Sequence, residues 1–102
     1  MLIHHVFFWM PPDATDADHA QLLAGIQSLS TIEHILQSHI GVPADTDRPV
    51  IERSYAFSWL VLFDSLADEA AYQTHPTHLN FVKKCAHLWN RVVVYDSVDA
   101  ID

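Results

Sequence analysis

The sequence predicts an α+β sandwich: one antiparallel sheet with its helices on a single side. Three observations point to it. Aromatic and β-branched runs of strand length stand near both ends and in the middle of the chain. Segments with a three- and four-residue apolar repeat alternate with them, the mark of amphipathic helices. The connections are rich in Pro, Gly, Asp and Thr, the residues that turns require.

Met1 to Met10, MLIHHVFFWM, ends at Pro11-Pro12 and reads as a strand. Alternation puts His4, Val6, Phe8 and Met10 on one face and His5, Phe7 and Trp9 on the other. A helix follows. Thr15 is its cap, and Asp16 and Asp18 sit in the first turn, where the helix dipole favours carboxylates. Leu22, Ile26 and Leu29, with Leu23 alongside, form its apolar stripe. Gly25 costs this helix about 1 kcal/mol relative to Ala, which a close approach to the sheet would justify.

Ile35 to Val42 is the second strand, with Leu36, Ser38, Ile40 and Val42 on one face and Ile35, Gln37 and His39 on the other. Gly41 to Pro49 reads as a surface loop. Tyr55 to Phe63 is the strongest strand, with Tyr55, Phe57, Trp59, Val61 and Phe63 sharing a face. Ser65, three residues before Asp68, opens a short helix that ends near Tyr72. Pro76 suits a first helical position and restarts the helix. Leu79, Val82 and Ala86, with Phe81, Cys85 and Leu88 beside them, are its expected buried stripe. Arg91 to Asp96, RVVVYD, is the last strand, and the Asp-rich tail from Asp96 to Asp102 is expected to fray.

The order strand–helix–strand–strand–helix–strand is the ferredoxin-like βαββαβ arrangement. Its helices cover one sheet face, yet the first and third strands are apolar on both. Monomers rarely expose that much apolar surface. A homodimer packed through its sheet faces is therefore expected.

Composition narrows the function. The 102 residues suit a single domain spanning 1–102. Thirteen acidic and five basic side chains give a net charge of −8, which repels phosphate backbones and argues against nucleic acid. Apolar runs such as Trp59 to Phe63 are too short for a bilayer. Met1 to Met10 lacks the basic start of a signal peptide. No membrane association and a cytoplasmic location are the expectation. Cys85 stands alone, which excludes an internal disulfide and a Cys-rich zinc site.

The string Tyr72-Gln73-Thr74-His75-Pro76-Thr77-His78-Leu79-Asn80-Phe81, with His4 on the first strand and Leu88-Trp89 to Asp96 at the end, resembles the stress-responsive A/B barrel domain family. The resemblance runs over essentially the whole chain. It implies a ferredoxin-like protomer whose sheet pairs with a second copy to form a dimeric α+β barrel. Most members have no assigned activity beyond an association with stress. A few plant members are polyketide cyclases that perform an intramolecular aldol condensation. Their catalytic Tyr and His correspond to Tyr72 and His78, their strand-one His to His4, and last-strand lining positions to Val92 and Val94. The chain departs from the cyclases at Ile26, where they carry a tyrosine, and at Trp59, a bulkier wall. The remaining expected pocket residues are Val6, Phe8 and Leu22.

The resemblance implies acid–base chemistry that these residue types can supply. An imidazole moves protons near neutrality, and a tyrosine can donate to a developing enolate. Tyr72, His78 and His4 thus form a candidate site for a small hydrophobic, enolisable carbonyl compound. His75 reads instead as a helix cap, and His78 has the alternative of a half-buried ring bonded to backbone. His4 and His5 face opposite sides and cannot share an ion. His4, His75 and His78 would suit zinc or nickel, but no spacing demands it, so no metal is expected. Nothing marks a haem or flavin site, so no cofactor is expected either. Cys85 beside Lys83 and Lys84 reads as a small buried hydrophobe. The competing reading is a non-catalytic stress protein, a stable dimer with no small-molecule substrate. A cleft that opens to solvent and exposes the His78 imidazole favours the first, and one filled by Trp59, Phe8 and Met10 favours the second.

Overall fold

A computed structural model of the chain describes residues 1–101. The elements are β1 (Leu2–Trp9), α1 (Asp16–Leu29), β2 (Ile35–Gly41), β3 (Phe57–Phe63), α2 (Leu66–Thr74), α3 (Pro76–Cys85) and β4 (Arg91–Val98), with a 3-10 turn at Ala86–Leu88. The strands form one antiparallel sheet in the order β2-β3-β1-β4. This is the expected βαββαβ α+β arrangement, with its second helix divided at Pro76. Among the described residues no helix is long and apolar enough to cross a membrane.

Local chemistry sets the helix boundaries. Thr15 caps α1 reciprocally with Asp18: the Asp18 N–H donates to Thr15 Oγ1 at 3.1 Å, and the Thr15 N–H donates to Asp18 Oδ2 at 3.0 Å. Ser65 caps α2 by accepting from the Asp68 N–H. His75, extended at φ −62° and ψ 138°, ends α2 and caps α3 at once. A residue before proline is pushed out of the helical region, so the break is written into the His75-Pro76 pair.

The core lies between the helices and one sheet face. His4, Val6 and Phe8 of β1 and Phe57, Trp59, Val61 and Phe63 of β3 meet Leu22, Ile26 and Leu29 of α1, Tyr72 of α2, and Phe81 and Cys85 of α3. A Cβ on Gly25 would stand 2.6 Å from Cys85 Sγ and 3.0 Å from Phe81. The close approach that Gly25 permits is therefore to α3, not to the sheet.

The structure corrects several expectations. In β2 a bulge between Ile35 and Gln37 adds a residue, so Ile35 packs on the core together with Ile40 and Leu36 turns out to solvent. β3 begins at Phe57, not Tyr55. Tyr55 instead packs edge-on against Phe7 at 5.0 Å between ring centroids, on the helix-free face. On α3, Leu79 and Val82 are largely exposed and Phe81 and Cys85 are buried; α1 and the core lie on the Phe81–Cys85 side. β4 runs on to Val98, so Asp96 is an ordered strand residue and not part of a frayed tail; Asp102 lies outside the described residues. The helix-free face carries Ile3, His5, Phe7 and Trp9 of β1, and their partners Leu62, Leu60 and Ser58 on β3 and Tyr95 and Val93 on β4.

Candidate functional site

A cleft of about 140 Å³ opens between the helices and the β1/β4 half of the sheet. β1 contributes His4, Val6 and Phe8, β3 contributes Trp59, and the edge strand β4 contributes Val92 and Val94. From above come Tyr72 and Gln73 of α2 and His78, Phe81 and Val82 of α3, with Leu29 and Trp89 completing the wall. The period-two alternation of β1 aims its three side chains into this space. Antiparallel register brings Val94 and Val92 opposite Val6 and Phe8, and Asp96 opposite His4.

The α2–α3 break positions the upper groups. Tyr72 lies in the last turn of α2 and His78 in the first turn of α3, and the bend at His75-Pro76 folds them together. Their rings meet edge-on with centroids 4.8 Å apart, and His4 approaches Tyr72 from below at 5.9 Å. His75 stays outside: its Nδ1 accepts from the Thr77 N–H at 3.0 Å, and its Nε2 lies 3.4 Å from Glu33. His75 is a cap, and it does not join His4 and His78 around an ion.

Each polar group has a defined state. The Tyr72 oxygen accepts from the Trp59 indole N–H at 2.9 Å, and the pair is buried. Burial pushes the Tyr72 hydroxyl up to about 12, against the opposing pull of the Trp59 hydrogen bond. At neutral pH it is a protonated donor. Burial, and then the neighbouring His4, holds His78 below its ordinary value, while the Gln73 backbone carbonyl and Glu69 push the other way. The His78 ring is thus neutral at pH 7, and its buried Nδ1 completes no hydrogen bond within the protein. Native structures rarely leave such an atom unpaired, because it costs about 1–3 kcal/mol.

His4 is 4% exposed. Its Nδ1 lies 2.6 Å from Asp96 Oδ1 and 3.9 Å from Glu69 Oε1. Glu69 in turn accepts from Gln73 at 2.9 Å. The donor atoms of His4, Glu69 and Asp96 fall within 4.8 Å of one another and form a metal-capable set. Donors around an ion at about 2.0–2.1 Å stand about 2.9 Å or more apart. The 2.6 Å separation of Nδ1 and Oδ1 fits a shared proton better, so the pair reads as a charge-assisted hydrogen bond in which Asp96 fixes the His4 tautomer.

Tyr72, His78, His4, Val6, Phe8, Trp59, Val92 and Val94 therefore share one cleft. Leu22 and Ile26 do not line it. Both are 0% exposed, because α1 presses its stripe directly onto the core. Asp96, Glu69 and Gln73 escaped the sequence reading. For Asp96 the signal existed: it shares strand parity with Val92 and Val94. For Glu69 and Gln73 no signal existed, since their roles depend on how α2 docks over β1.

Solved structures share this fold. A ferredoxin-like protein of the Dabb family from Mesorhizobium loti is 21% identical, with a TM-score of 0.77 over 96% of this chain and 95% of its own. A hydroxynitrile lyase from Passiflora edulis is 19% identical, with a TM-score of 0.78 over 99% of this chain and 95% of its own. A dimeric ferredoxin-like protein of unknown function from Thermobifida fusca is 20% identical, with a TM-score of 0.76 over 94% of this chain and 88% of its own. No curated protein matches the chain in sequence. The stress responsive A/B barrel domain model matches residues 2–99. With that match over nearly its whole length, and the fold to go with it, the chain belongs to the stress responsive A/B barrel domain family.

Proposed function

We propose that the cleft binds a small neutral carbonyl compound and enolises it. The observation that carries this reading is the convergence of a protonated tyrosine and a neutral histidine on one apolar cleft, beside the His4–Asp96 pair. In this scheme the Tyr72 hydroxyl donates to the carbonyl oxygen. The His78 imidazole takes the α-proton, the C–H electron pair moves into the new C=C bond, and the oxygen gains the negative charge that Tyr72 stabilises. Asp96 accepts from the His4 Nδ1–H and holds that ring in place behind Tyr72. A hydroxynitrile lyase on the same fold supports the idea that this architecture can house carbonyl chemistry.

Deuterium uptake at the α-carbons of cyclohexanone in D₂O, followed by proton NMR, tests the reading. The protein should accelerate exchange above the buffer rate. His78→Ala and Tyr72→Phe should each remove about 10²-fold of that acceleration. Exchange no faster than buffer would reject enolisation.

The same reading places the chain in a homodimer through its helix-free sheet faces. Two features support it. Phe7, Trp9, Tyr55 and Tyr95 gather on that face, and similar structures are described as dimeric.

A further inference from the structure

We propose that the cleft takes a neutral carbonyl ligand of a single ring, about six to eight non-hydrogen atoms, and that Trp59 sets this limit while holding the Tyr72 hydroxyl as a donor. The inference rests on the carbonyl reading above and gives its substrate class.

Size comes first. The cleft encloses about 140 Å³, close to the ~150 Å³ of an apolar cavity that takes up benzene, so its enclosed part seats one ring. A fused bicycle or a folded polyketide chain would leave its second ring or its tail outside that enclosed part. The floor responsible is Trp59. It sits on the central strand β3, flanked by Val6 of β1 and Ile40 of β2, and is 1% exposed. Its hydrogen bond to Tyr72 at 2.9 Å pins the indole, so the floor cannot swing aside to admit a larger ligand.

Polarity comes second. Among the described residues no Lys or Arg lines the cleft. The carboxylates of Glu69 and Asp96 flank His4, one of its lining residues. Two carboxylates at one end of an apolar space repel an anionic ligand and leave a neutral one unopposed.

Direction comes third. The Tyr72 oxygen already accepts from Trp59, so the indole occupies one side of it. Among the described residues the hydroxyl donates to no protein acceptor. A buried hydroxyl seeks an acceptor, and the cleft is the space left to supply one. A ligand carbonyl oxygen meets that need. Trp59 therefore acts as a positioning residue through Tyr72.

Amide shift titrations by NMR test this with three probes: cyclohexanone, 2-decalone and cyclohexanecarboxylate. In the unaltered protein, cyclohexanone should shift the amides of residues 72–82 and 92–94. The bicyclic ketone and the carboxylate should each bind at least tenfold more weakly. In Trp59→Phe, which is smaller and lacks the indole donor, and in Trp59→Leu, 2-decalone should gain at least fivefold over cyclohexanone. Melting curves establish that each variant is folded, and Trp59→Phe alone carries the test if Trp59→Leu unfolds. Equal binding of both ketones by the unaltered protein would overturn the size limit. Equal binding of the carboxylate would overturn the neutral preference. Unchanged discrimination in folded Trp59→Phe would remove Trp59 as its cause. Cleft shifts with none of the probes would reject the carbonyl reading itself, and this inference with it.

Discussion

His78 carries a buried ring nitrogen with no partner, and that makes its removal informative. A histidine bonded to buried protein leaves an unsatisfied group behind when truncated, at a cost of about 1–3 kcal/mol. His78→Ala removes that unpaired nitrogen and gives up only the hydrogen bond with the Gln73 backbone carbonyl and the packing against Tyr72, so thermal unfolding should show a loss of about 1 kcal/mol or less. His75→Ala should cost as much or more, about 1 kcal/mol, because it uncaps the Thr77 N–H. A larger loss at His78 than at His75 would reverse these assignments. The charge state of His78 gives a second outcome. Burial, then His4, lowers its value in the folded protein, with Gln73 and Glu69 opposing. Unfolding restores the free value of about 6.5. The unfolded chain thus binds the proton more readily, so this contribution to stability is complete above about pH 6.5 and is lost as pH falls through the lowered folded value. Denaturant midpoints measured from pH 7.5 to 5 should fall less in His78→Gln than in the unaltered protein.

Among the elements, α1 and α3 approach each other closely at Gly25. Gly25→Ala gains about 1 kcal/mol of helix propensity, but the new methyl would meet Cys85 Sγ at 2.6 Å and Phe81 at 3.0 Å. Overpacking of that kind costs about 1–3 kcal/mol, so the variant should be net less stable by urea denaturation. Adding Cys85→Ala should recover much of the loss, since it removes the nearer atom. A stabilised Gly25→Ala would mean that α1 and α3 separate at no cost. The sequence reading set the close approach at Gly25 against the sheet, whereas it is against α3, because helix periodicity names a face and not its neighbour. The boundaries at Thr15, Ser65 and His75 were legible, because a cap is chosen by residues within a turn of it. The β2 bulge was not, because it exists only in the pairing with β3.

At the scale of the whole molecule, the helix-free face calls for a partner. Specific interfaces bury about 1,000 Å² or more, and sedimentation at micromolar concentration should return twice the chain mass of 11.6 kDa. Phe7→Lys, placed amid Tyr55 and Tyr95, should yield a folded monomer, because a buried unpaired charge in the seam is costly. A dimer unaffected by that change would place the interface elsewhere.

The order of elements, their caps, the inward face of β1 and the meeting of Tyr72 with His78 across the His75-Pro76 bend were all decided within short windows of sequence. Alternation, helical repeat and proline chemistry act over a few residues, so a reader of the chain can follow them. Tertiary structure alone decided the rest. The register of β4 on β1 set Asp96 against His4. The docking of α2 over β3 joined the Trp59 indole to the Tyr72 oxygen. The pressure of α1 on the core drew Leu22 and Ile26 away from the cleft. Each is a contact between residues distant in the chain, and its geometry follows from how whole elements pack rather than from any local preference.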